Sequence, residues 1–283
     1  MRLNGRRESR NVRDIRGKGK GVGLGIGGVI VVGLLAWILG GDPVEAIQQA
    51  GGLNYDTESE YVPTAQEEAL AKFAKQVLAG TEDVWSAQFQ KLGLTYEPPT
   101  LVLFTNSVQS ACGGASASSG PFYCSADKSV YIDLSFFSNM QREFGTAGDF
   151  AYAYVIAHEV GHHVQNLLGT LTQANQIMRQ VSQTEANQIS VRLELQADFY
   201  AGLWAYHDDA MYNSLEEGDI EEGLAIAARI GDDYLQKASR GYAVPETFNH
   251  GTSAQRARWL KRGYSTGDIT KGDTFSPKYN SLS

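Results

Sequence analysis

Val155-Ile-Ala-His-Glu-Val-Gly-His-His-Val-Gln165 carries His158, Glu159 and His162 at the spacing His-Glu-x-x-His. The run ahead of it, Phe150-Ala-Tyr-Ala-Tyr-Val-Ile-Ala157, contains no helix breaker, so the spacing predicts one continuous helix. Side chains at i and i+4 leave a helix on the same face. His158 and His162 therefore project side by side, as two zinc ligands must. Glu159 lies about 100° further round, at ~3.6 residues per turn. It can reach water at the metal without binding the metal itself. Zinc acidifies such a water, and the glutamate can accept its proton. A helix can also carry two histidines for packing alone. Here the flanks Val155, Ile156, Val160 and Val164 are apolar and predict burial. A buried histidine pair without a partner is costly, and a metal is the simplest partner.

The third ligand is expected from a second helix, Arg192-Leu-Glu-Leu-Gln-Ala-Asp-Phe-Tyr-Ala-Gly202. Glu194 and Asp198 are again i and i+4. Glu194 completes a His, His, Glu set and leaves the fourth zinc position to water. Asp198 is placed to accept the outer ring N–H of a liganding histidine. The alternative is a solvated acidic face, but Leu193, Leu195, Ala197, Phe199 and Leu203 make this helix apolar around the two carboxylates.

Ala157-His-Glu-Val-Gly-His-His-Val-Gln165 followed by Glu194-Leu-Gln-Ala-Asp198 resembles the glutamate-ligand zinc metallopeptidases. The chain is most similar to the bacterial neutral zinc metallopeptidase family of YpfJ-like proteins. The resemblance extends over nearly the whole chain. It takes in Met1-Arg-Leu-Asn-Gly-Arg-Arg-Glu-Ser-Arg10, one N-terminal apolar segment, the paired cysteines and His250-Gly-Thr-Ser-Ala-Gln-Arg256. It implies an α+β, zincin-like domain with a small sheet, a larger helical part and the metal between them. It also implies one Zn2+ per chain held by His158, His162 and Glu194, with Glu159 as catalytic base and a peptide or protein as substrate. In such peptidases the strand before the His-Glu helix is a sheet edge that pairs with substrate. That implication places Val130, Tyr131 and Ile132 at an edge, where an unpaired strand can add a peptide; the alternative is a plain interior strand. A downstream histidine that stabilises the oxyanion would be His250, with Tyr123 as the other candidate. Arg256 would position His250 or hold a carboxylate. His163 points away from the metal face and is expected to bond nearby backbone; His207 is expected at a helix end.

Charge divides the chain. The overall balance is −8. Residues 1–21 carry eight Arg and Lys against Glu8 and Asp14, a net of +6, which leaves −14 for the rest. An acidic body argues against nucleic acid as partner. The uncharged run Val22–Gly41 is long enough to span a bilayer. With basic residues before it and Asp42 and Glu45 after it, it reads as a signal anchor in the inner membrane. A cleaved signal peptide is the rival, although no Ala-x-Ala site closes the run. The arrangement expected is a disordered cytoplasmic tail (1–21), a transmembrane helix (22–41), a linker (42–63) and a periplasmic or extracellular metallopeptidase domain (64–283). In that compartment Cys112 and Cys124, the only cysteines, are expected to form a disulfide. A metal pair is less apt, because they lack Cys-x-x-Cys spacing.

Elsewhere, Thr64-Ala-Gln-Glu67 predicts a capping box. Gly80 is expected to separate two helices, and one helix is expected over 219–240. The function expected is zinc-dependent peptide hydrolysis at a membrane. The rival class is a membrane-anchored binding or scaffold protein that keeps zinc without catalysis. Glu159 beside an open coordination position speaks against the rival, because structural zinc sites usually close with four protein ligands.

Overall fold

The computed structural model describes residues 1–17, 61–116, 119–144 and 148–277. In chain order the strands and helices are β1 (Val12–Asp14), α1 (Ala65–Lys91), β2 (Thr100–Phe104), β3 (Ser107–Ser110), β4 (Gly113–Ser116), β5 (Phe122–Cys124), β6 (Ser129–Asp133) and α2 (Ser135–Phe144). They continue with α3 (Asp149–Leu167), α4 (Thr170–Met178), α5 (Gln183–Tyr212), α6 (Asp219–Arg229), α7 (Asp232–Arg240) and α8 (Ser253–Thr266). This is the expected mixture of a small sheet and a larger helical part. The main sheet has the order β1-β2-β6-β5, and β3 and β4 form a separate hairpin.

β1, β2 and β6 run parallel, while β5 runs antiparallel to β6. β6 therefore has a neighbour on each side, and all five of its residues are buried. This corrects the edge assignment of Val130, Tyr131 and Ile132: they are interior. A fully buried strand alternates too little to show which side is open. The edge next to β6 is β5.

Helices α3 and α5 cross at the centre and share one core, with Ile156, Val160, Leu195, Phe199 and Trp204 among its buried members. The ends of the helices are set by local chemistry. Thr64 caps α1 through a reciprocal box with Glu67, and Ser182 and Thr252 cap α5 and α8 in the same way. Gly80 does not end a helix, because α1 runs through it. A Cβ there would lie 2.5 Å from Asp208 Oδ1 and 2.7 Å from Arg6 Nη2. The glycine makes room for an ion pair, not a turn. The helix expected over 219–240 is two helices, α6 and α7, broken at Ile230 and Gly231.

The membrane placement is corrected. Among the described residues no helix is long and apolar enough to cross a membrane. The span expected at 22–41 lies outside the described residues, as does nearly all of the linker. The tail itself contradicts the expected arrangement. β1 pairs with β2 in register Val12 to Leu101, and Leu3 is buried in the core of the body. A strand within the body's own sheet lies on the same side of any membrane as that body. The basic charge of this segment has partners in the acidic body. Arg6 makes two bonds to Asp208, at 2.7 and 2.6 Å. Arg7 reaches Glu82 and Asp83 at 2.8 and 2.5 Å, and Arg16 bonds Asp14 and Glu68.

Cys112 and Cys124 are joined in a disulfide across 12 residues. It ties the turn between β3 and β4 to the last residue of β5. By the loop-entropy argument this link contributes about 2–3 kcal/mol. Reduction with dithiothreitol is expected to lower the urea midpoint accordingly; an unchanged midpoint in the fully reduced protein would contradict that role.

Candidate metal centre

α3 delivers His158, Glu159 and His162, and α5 delivers Glu194 and Asp198. The two helices meet closely because Gly161 lacks a side chain. A Cβ at this position would lie 3.0 Å from the carbonyl oxygen of Ala197 and 3.1 Å from its Cα. The small residue inside the His-Glu motif thus brings the second helix within ligand distance.

The ligand atoms of His158, His162 and Glu194 all lie within 4.8 Å of one another. His158 Nε2 is 3.2 Å from Glu194 Oε2, and His162 Nε2 is 3.4 Å from Glu194 Oε1. Donors about 2.0–2.1 Å from a tetrahedral ion are separated by about 3.3 Å. The three residues fit zinc in donor type, and the two histidine–glutamate separations match that spacing.

The outer ring nitrogens set the tautomers. His158 Nδ1–H donates to Asp198 Oδ1 at 2.9 Å, which leaves Nε2 for a metal. His162 Nδ1–H donates to Gln165 Oε1 at 2.9 Å. Gln165 is itself fixed by donating to the Leu193 carbonyl (2.7 Å) and to Gln196 Oε1 (3.1 Å). Asp198 is fully buried. It also accepts from Tyr154 Oη–H at 2.6 Å and from Arg256 Nε and Nη2 at 2.9 and 3.0 Å. Arg256 thus holds a carboxylate, one of the two roles expected of it, and does not bond His250.

Burial and charge set the proton affinities. Burial pushes His158 down, but the Asp198 and Glu194 carboxylates override it and hold the imidazole up to about 10. Burial pushes Asp198 up, but Arg256 and His158 bring it to about 2. Burial would raise Glu194 too, but the two histidines hold its carboxyl well below the ordinary range. Glu159 goes the other way: burial raises it, and the neighbouring histidines only partly offset the shift. The result is two carboxylates whose proton affinity is lowered and one, Glu159, whose affinity is raised.

His250 stands at the same cleft, its side chain 49% exposed. Asp232 anchors it. Oδ2 accepts from the backbone N–H groups of Asn249, His250 and Gly251 at 2.8, 2.7 and 2.9 Å, and Oδ1 is 3.2 Å from His250 Nδ1. Surrounding atoms push the imidazole down, but Asp232 and Glu194 hold it above its ordinary value. Tyr123 is engaged elsewhere. Its hydroxyl donates to His163 Nδ1 at 3.0 Å and accepts from Asn166 at 2.9 Å, and burial raises it to about 12. His163 Nε2–H donates to the Glu97 carbonyl at 2.6 Å, so this histidine bonds backbone as expected. His207 bonds the Gly267 carbonyl.

Sequence reasoning missed Tyr154, Gln165 and Asp232. The first two had a signal: they lie four residues before His158 and three after His162, at helical contact spacing. Asp232 had none, because it sits 18 residues before His250, at the start of α7, while His250 lies in the loop before α8.

His158, Glu159, His162, Glu194 and His250 line one cleft of about 490 Å3, bordered by Phe122 and Tyr123 of β5. A family model described as "Putative neutral zinc metallopeptidase" matches residues 1–275. The uncharacterized protein YpfJ of Escherichia coli (strain K12) is 44% identical over 286 residues, covering 97% of this chain and 99% of the relative. The uncharacterized protein Rv2575 of Mycobacterium tuberculosis (strain H37Rv) is 42% identical over 215 residues, covering 72% of each chain. No solved structure matches. The motif, its geometry and these likenesses agree, and the chain belongs to the neutral zinc metallopeptidase family.

Proposed function

We propose that the protein is a zinc-dependent endopeptidase in which His158, His162 and Glu194 hold one ion and Glu159 is the general base. The observation that supports this most is the convergence of the two Nε2 atoms and the Glu194 carboxylate in a cleft that Glu159 also lines. A bound zinc ion supplies Lewis acidity, polarising the scissile carbonyl and acidifying the attacking water. Glu159 takes the proton of that water and passes it to the leaving amine. Its raised proton affinity suits a group that must both accept and return a proton. The substrate backbone lies in extended form along β5, whose side away from β6 has no strand partner among the described residues.

His250 donates from Nε2–H to the developing oxyanion, while Asp232 receives Nδ1–H and fixes the ring. Tyr123 is the weaker candidate, because its hydroxyl proton is committed to His163. The test is turnover of a peptide library by the zinc-loaded protein. Chelation should abolish cleavage and zinc should restore it. His250→Ala should lower kcat by about 10²-fold with zinc content unchanged. Normal turnover in that variant would remove His250 from the mechanism. A zinc-loaded wild type that cleaves no peptide would favour a non-catalytic binding or scaffold protein.

A further inference from the structure

Gln165 and Gln196, both buried, belong to one line of hydrogen bonds that starts well away from the metal centre. Beyond α8 the chain turns back and lies against α5. Thr274 Oγ1–H donates to the Arg192 carbonyl at 2.7 Å, and the Arg192 guanidinium donates to the Thr274 carbonyl. Gly272 sits so close to Phe199 that a side chain there would overlap the ring. The Gly272 carbonyl accepts from Gln196 Nε2–H at 2.9 Å. The line then runs from Gln196 through Gln165 to His162 Nδ1.

The direction of every bond in this line is fixed at its far end. A backbone carbonyl has no proton to give and can only accept. The Gly272 carbonyl therefore takes the NH2 group of Gln196 and turns its Oε1 toward Gln165. That oxygen and the Leu193 carbonyl stand together as two acceptors, 3.1 and 2.7 Å from Gln165 Nε2. They leave Gln165 Oε1 facing His162 Nδ1 at 2.9 Å. An acceptor at that place requires the ring proton on Nδ1 and leaves the lone pair on Nε2. With the Gln165 amide reversed, its NH2 group would face Nδ1. The ring proton would then move to Nε2, where it blocks a metal.

We propose that Gln196 is a positioning residue for the metal ligand His162, and that the segment beyond α8 supports metal binding through it without touching the ion. This rests on the proposed zinc site, with His162 as a ligand. Without Gln196, only the Leu193 carbonyl opposes the reversed Gln165 amide. Groups that bond a metal-ligating histidine directly are worth about 10–100-fold in metal affinity. Gln196 stands one bond further out, so its share is at the low end of that range. The coupling is reciprocal: a segment docked on Gln196 favours zinc, and zinc favours the docked segment.

The experiment is zinc affinity of the full, disulfide-intact chain, measured by competition with a chelator. Gln196→Met keeps the length of the side chain and removes both amide atoms; it should weaken zinc by about 10-fold. In a protein that already carries Gln165→Met, the same substitution should change zinc affinity by less than about 2-fold, because its route to His162 is gone. Unchanged affinity in Gln196→Met overturns the proposal. So does an equal loss in both backgrounds, which is what a merely structural role would give. A neutron structure of the zinc-loaded wild type tests the same point without a variant. The deuterated amide group of Gln196 should face the Gly272 carbonyl, and that of Gln165 the Leu193 carbonyl; either amide reversed overturns the proposal. A wild type that binds no zinc, or a His162→Ala protein that binds it as tightly as wild type, overturns the zinc site itself and the proposal with it.

Discussion

Glu159→Gln is expected to keep close to one zinc per chain and to lose peptide turnover by a factor on the order of 10³. The amide keeps the size of the carboxylate but cannot take the proton of the attacking water. Glu159 is not among the three residues whose donor atoms converge, so the ion has no reason to leave. The contrast is with the ligands. His158→Ala, His162→Ala or Glu194→Gln removes one of three donors and should cost most of the affinity. Asp198→Asn should fall between, weakening zinc by about 10–100-fold, because it disturbs the group that orients His158. Metal analysis and turnover on the same preparations check this. A Glu159→Gln protein without zinc, or a Glu194→Gln protein that keeps it, contradicts the division of roles.

Arg256→Met is expected to destabilise the fold by about 3–5 kcal/mol, the usual result of leaving a buried charge without its partner. Arg256 is 3% exposed and gives Asp198, which is fully buried, two of its four hydrogen bonds. At ~2–4 °C per kcal/mol for a domain of this size, the melting temperature should fall by on the order of 10 °C. The pH dependence carries the same signature. The Asp198 carboxyl lies near 2 in the folded protein against 3.8 ordinarily. Its ionisation therefore contributes stability that is complete above pH 3.8 and lost as pH falls through 2. Without Arg256 this acid-side protection shrinks, and the variant should begin to unfold at higher pH than wild type. Equal melting temperatures across pH 2–7 would show that Asp198 does not depend on the guanidinium.

The candidate site was largely legible in the sequence because four of its residues come in two local helical pairs. His158 with His162 and Glu194 with Asp198 each follow from i, i+4 geometry, and apolar flanks predict that both helices are buried. That the two pairs face one another was expected from the need for a third ligand and from the apolar flanks of the second helix, and the resemblance to a peptidase family implied the same set. What was not legible depends on residues far apart in the chain. Arg6 and Asp208 meet across 202 positions, so the basic N-terminal segment looked like a free tail. Gly80 looked like a helix end for the same reason, since the ion pair it makes room for involves neither neighbour. The edge of the sheet was misplaced by one strand. β5 is only three residues long, too short to show alternation, while β6 is long and apolar enough to be noticed first.

The most direct test of the metal centre is an anomalous difference map at the zinc edge from crystals of the zinc-loaded protein. One strong peak per chain is expected, about 2.0–2.2 Å from His158 Nε2, His162 Nε2 and a Glu194 carboxylate oxygen, with Glu159 outside bonding distance. A peak elsewhere, or a peak ligated by Glu159 in place of Glu194, would contradict it.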